Sequence, residues 1–116
     1  MAVKGFTVNL DSFANLAWFE PWHPVPAGLE AELAREISPG HPLFGQKAIS
    51  VARRNDCDDV LFLLPDNAYP LAVVHLTWTG QGEKKREWPH TTFYVSLEDW
   101  AERCMSPNHR EGTGAA

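Results

Sequence analysis

Only two cysteines, Cys57 and Cys104, occur among the 116 residues, and they stand in unlike surroundings. One lies in a polar knot and the other near an expected helix end, so the chain has no disulfide framework and free thiols are the default. Nothing approaches the ~20-residue apolar run that spans a bilayer. The first residues, MAVKGFTVNLDSF, also lack the apolar core of a secretory leader, so a cytoplasmic protein without a membrane role is expected. Positive charge is scarce. The formal net charge is -5, and the sole basic run, Lys84-Lys85-Arg86, is bracketed by Glu83 and Glu87. Nucleic acid is therefore not expected as a partner, because phosphate binding needs a clustered cationic surface. No internal repeat, low-complexity segment or reaction-defining motif is present.

What the chain does have is apolar content enough for one core. At 44% hydrophobic residues and this length, residues 1–116 form a single domain that folds without disulfides or metal. An N-terminal arm is expected over 1–25. In it, Phe6, Val8 and Leu10 alternate as in a short strand, Asp11 caps a brief helix over Ser12–Phe19, and three prolines then force an extended linker around Trp22. Leu29, Leu33 and Ile37 recur at helical spacing and predict a helix over about 26–37, with Glu30, Glu32 and Glu36 mostly on its outer side. Gly45, in the loop HPLFG, is read as a position needing a special backbone dihedral.

Four β-rich stretches follow. Ala48–Arg53 alternates, Val60–Leu64 is apolar without a break, Leu71–Thr79 is the longest, and Thr91–Val95 is β-branched and aromatic. The close spacing of the second and third predicts an antiparallel hairpin. Ser96 then caps a helix with Asp99 at the capping-box position, Val95 and Trp100 at the staple positions, and Leu97, Trp100, Ala101 and Cys104 as the buried stripe. Residues 106–116 read as a mobile tail. The fold class expected is α+β, a single antiparallel sheet of about four strands with helices packed on one face.

The pieces HPLFG, ARRNDCDDVLF, LAVVHLTW, EWPHTTFY and SLEDW resemble a group of small bacterial proteins of uncharacterised activity. The resemblance covers roughly Leu29–Met105. It implies a bacterial cytoplasmic origin, and it brings no catalytic residue, cofactor or metal.

Four constellations are candidates for chemistry. The first is the knot Arg53-Arg54-Asn55-Asp56-Cys57-Asp58-Asp59, whose carboxylates repel one another unless arginines or donors offset them. Its plain reading is a turn held by ion pairs, and its functional reading is a recognition loop using Arg53, Arg54 and Asp58. The second is Cys57 as a nucleophile with His75 as base, although three aspartates work against a thiolate. The third is His75 itself, on the strand face of Val73 and Thr77. It is a partly buried histidine in the plain reading and a metal ligand in the other, and no zinc-like spacing supports the latter. The fourth is a partner groove lined by Trp22, Trp78 and Trp88 and rimmed by acid.

Two functional classes follow. The favoured one is a non-catalytic protein-interaction module, an immunity-type inhibitor, an adaptor or a subunit, with a protein partner or a second copy as a homodimer, and with no metal or cofactor. The alternative is a small enzyme or ligand-binding domain. In it Asp56 or Asp59 acts as base, His75 as acid or ligand and an arginine as anion clamp, and it requires a concave pocket with an upward-shifted carboxylate pKa.

Overall fold

The computed structural model describes residues 10–13, 16–25, 28–65, 67–77 and 89–112. The expected strand around Phe6 and Val8, and the tryptophans Trp78 and Trp88, lie outside them. Five strands form one antiparallel sheet in sequence order: β1 Trp22–Pro24, β2 Ile49–Arg54, β3 Asp59–Leu63, β4 Leu71–His75 and β5 Thr91–Tyr94. The α+β class, the single antiparallel sheet and the β3–β4 hairpin agree with the sequence reading. The fifth strand is the Trp22 segment, expected to be a linker. Its proline, Pro24, is tolerated because the strand is short and lies at an end of the strand order, where one side needs no ladder donor.

Helical elements cover both faces of the sheet, not one. The unbroken apolar run of β3 divides by parity. Val60, Phe62 and Leu64 join Ala72, Val74 and Leu76 beneath α1 (Glu30–Glu36) through Leu33, with Leu43 beside them. Leu61 and Leu63 join Leu71, Val73 and Tyr94 on the other face, against Trp22, Trp100, Cys104 and Met105. Each large apolar side chain so buried contributes on the order of 2 kcal/mol.

α1 is shorter than its pattern suggested, because residues 28–29 are not helical. Glu30 turns back instead: its carboxylate accepts from Gly28 N (2.7 Å) and from Ser50 N (2.7 Å). This ties the first turn of α1 to β2. Glu32 and Glu36 are buried, contrary to the outer-face expectation. Glu32 pairs with Arg35 at 2.7 Å, and Glu36 accepts Thr77 N at 2.7 Å, so each carboxylate has compensation for leaving water. Gly45, as expected, has φ +79°.

The expected helix over Ser12–Phe19 is instead a 3₁₀ turn, Leu10–Phe13, after which 16–19 carry no regular structure. Tertiary packing overrides the local signal here: Trp18 stacks on Phe13 and meets Trp100 edge-on.

At the C-terminus, Ser96 Oγ accepts Asp99 N (3.0 Å) and Asp99 Oδ2 accepts Val95 N (3.0 Å), so the cap forms as expected. Val95 remains half exposed while Trp100 is fully buried. Helix α2 (Leu97–Trp100) continues through a π turn, Ala101–Met105, into α3, Ser106–Gly112. The expected mobile tail is therefore helical as far as Gly112. Pro107 gives the physical reason for the π turn. It has no N–H for the carbonyl of Arg103 and its ring crowds that oxygen, and the chain relaxes by widening, with Ser106 N bonding to Ala101 O. The helix continues with Asn108 and His109 turned back toward the sheet. Asn108 Oδ1 accepts Trp22 Nε1 (2.9 Å), and His109 Nδ1 donates to Glu20 O (2.7 Å).

Candidate functional site

A β-bulge decides which side chains meet. The β2–β3 register slips between Ser50 and Ala52, so Arg53 pairs with Val60, on the α1 face. Simple alternation from Val51 would place Arg53 on the opposite face, and the bulge puts Arg54 there instead. Arg54 pairs with Trp22 on one side and, one step beyond Arg53–Val60, stands beside Asp59. Asp59 belongs to β3 rather than to the turn, and pairs with His75. His75 N in turn bonds to His90 O across β4–β5. Arg54, Asp59, His75 and His90 thus form a row across β2, β3, β4 and the residue that precedes β5, at one end of the sheet. The C-terminal helical segment brings Arg103, Cys104 and Asn108 over it, and together with Thr92 and Tyr94 they enclose a cleft of about 200 Å³.

Within the cleft, His75 Nδ1 donates to Asp59 Oδ1 at 2.7 Å. His75 is half exposed, with its Nε2 as the remaining polar atom of the ring. The guanidinium of Arg103 lies 5.3 Å from the centroid of Tyr94. Burial pushes the Tyr94 hydroxyl far above its ordinary value, so it remains a neutral phenol at physiological pH.

The polar knot resolves into paired charges. Arg54 holds Asp56 through two bonds of 2.8 Å, and Arg53 approaches Asp58 at 3.9 Å. The Arg54 bond lowers the Asp56 carboxyl, the reverse of the raised carboxylate the enzymatic reading required. The Nδ1 of His75 is taken by Asp59 rather than by Cys57. Burial, reinforced by the Asp59 charge, pushes the Cys57 thiol up, and burial does the same for Cys104. Both remain protonated at neutral pH and are poor nucleophiles. Among the described residues, no three His, Cys, Asp or Glu side chains converge as a metal site.

Of the three tryptophans expected to line an aromatic groove, Trp22 alone lies among the described residues. Trp22 is only 1% exposed, packed edge-on against Trp100, and lines no surface. A larger concavity, about 520 Å³, opens on the other face between α1 and the loop before β2. Leu33, Ala34, Ile37, Phe44 and Ala48 form its apolar wall, with Glu30 and Lys47 also lining it. Phe44 is 51% exposed beside the fully buried Leu43. The sequence offered a signal for it: of two adjacent large apolar residues in a tight loop, one anchors and the other faces outward.

Comparison with protein-family models, with curated proteins and with solved structures finds no match. Among the described residues, no helix is long and apolar enough to cross a membrane.

Proposed function

We propose that the protein is a non-catalytic interaction module that seats apolar side chains of a basic protein partner in the groove beside Phe44. The observation that carries this reading is the groove itself, an apolar concavity of about 520 Å³ with a half-exposed phenylalanine at its wall. A buried apolar anchor in a pocket is the usual source of binding energy between proteins, and an exposed aromatic at the wall of an apolar concavity suits such a site. The walls of the groove are tied to the sheet, since Glu30 bonds α1 to β2 and buried Leu43 anchors the loop. The net charge of -5 favours a basic partner through steering and complementarity. A small acidic cytoplasmic inhibitor of the immunity type, an adaptor or a subunit all fit this description. The protonated thiols and the lowered Asp56 carboxyl weigh against covalent or acid–base catalysis at the polar knot.

The test is affinity capture from the native host with the wild-type chain and with Phe44→Glu, followed by reconstitution with the recovered protein. A stoichiometric partner of basic pI, lost with Phe44→Glu at unchanged thermal stability, is the expected result. Equal capture by both chains overturns the groove as the docking site. Capture of a second copy alone turns the reading to a homodimer and overturns the basic partner.

A further inference from the structure

The cleft on the opposite face has an unbalanced hydrogen-bond inventory. Several of its acceptors are occupied: Asp59 Oδ1 takes His75, and Asn108 Oδ1 takes both Trp22 Nε1 and the Cys104 thiol (3.5 Å). Its donors outnumber the bonds they make. A guanidinium carries five N–H groups in a planar fork. Arg54 uses Nε and Nη2 on Asp56, which leaves Nη1 over. Arg103 uses Nη1 on Asp99, which leaves Nε and Nη2, with its plane held over the Tyr94 ring. The amide nitrogen of Asn108 is a further donor, because its oxygen already receives two bonds. These groups come from β2, the π turn and α3, and they line one concavity of about 200 Å³.

We propose that this cleft is a binding site for a small oxyanion, the carboxylate or phosphate group of a low-molecular-weight ligand. The planar Nε–Nη2 fork of Arg103, with Nη1 of Arg54 as a second donor, matches such a group in geometry. The volume admits a molecule of a few heavy atoms and no polymer. Asp59, the carboxylate of the lining, is turned to His75 at 2.7 Å, and that bond offsets its repulsion of an incoming anion. The site is independent of the partner groove, which lies across the sheet.

The experiment is an NMR titration of the full chain with inorganic phosphate and, separately, with acetate at constant ionic strength. It is repeated on Arg103→Gln and Arg54→Gln. Arg103 has a largely exposed side chain (62%), so its replacement leaves the fold intact. Saturable shifts at the Asn108 side-chain amide and the His75 ring are expected with at least one anion. In Arg103→Gln they weaken by about tenfold, the loss that follows from one charge-assisted bond. Saturation with phosphate alone identifies a phosphate ligand, and saturation with acetate identifies a carboxylate. Shifts that never saturate with either anion, or equal affinity in wild type and Arg103→Gln, overturn the proposal. Loss of fold in Arg54→Gln leaves the Arg103 result decisive.

Discussion

Trp22 and Asn108 lie 86 residues apart in the chain and share a 2.9 Å hydrogen bond from the indole Nε1 to the amide Oδ1. It fastens the C-terminal helix to β1 and holds Asn108, which lines the polar cleft, in place. Asn108→Ala leaves the part-buried indole N–H without its acceptor, so it is expected to cost about 1–3 kcal/mol. Trp22→Ala adds the loss of a fully buried aromatic and costs about 3–5 kcal/mol. Urea unfolding monitored by tryptophan fluorescence measures both.

Removing residues 106–116 tests the same contact more bluntly. A disordered tail leaves the spectrum unchanged when cut. A docked helix uncovers Trp22, and the emission maximum of the truncated chain shifts to longer wavelength with a fall in melting temperature. The structure predicts the second outcome.

Buried His41 is fixed in one tautomer. Leu43 N has only a proton to give, so Nδ1 accepts at 3.0 Å, and Nε2–H donates to Pro89 O at 3.0 Å. Nitrogen NMR should report the Nε2-protonated neutral ring. His41→Ala strands the backbone N–H of Leu43, while Pro89 O keeps the Thr91 hydroxyl at 3.0 Å. The substitution is expected to cost on the order of 1–3 kcal/mol.

Acid should destabilise the fold through three carboxylates. Glu30 is pushed up by burial, but hydrogen bonds from Ser50 and Gly28 outweigh this and hold it below its ordinary 4.5. Asp56, held by Arg54, and Asp99, held first by Val95 N and then by Arg103, lie below their ordinary 3.8. A folded-state value below the unfolded one gives stability that is complete above the ordinary value and disappears as pH falls through the folded value. Denaturation midpoints should therefore be level above about pH 5 and decline below about pH 4. Glu30→Gln, in a chain already weakened at neutral pH, should flatten the upper part of that decline.

Much of the sheet was legible because its signals are local. The unbroken apolar run of β3, the tight β3–β4 connection and the Ser96 cap depend on neighbours within a few residues. The cleft was legible only in part. His75 and Asp59 were singled out from the sequence, and parity along β5 places Thr92 and Tyr94 on the same face. The bulge at Val51, which exchanges Arg53 for Arg54, has no sequence mark of its own; it coincides with the bond between Ser50 N and Glu30. The helical turn beyond Met105 was hidden by Pro107, which reads as a stop unless a π turn absorbs it. Trp22 looked exposed because what buries it, Trp100 and Asn108, comes from the far end of the chain.

Amide hydrogen exchange of the chain alone and with its captured partner tests the interaction reading most directly. Slowed exchange is expected over Glu30–Ile37 and Phe44–Ala48, with His90–Asn108 unchanged. Slowed exchange confined to His90–Asn108, with the Phe44 loop as fast as in the free chain, contradicts that reading.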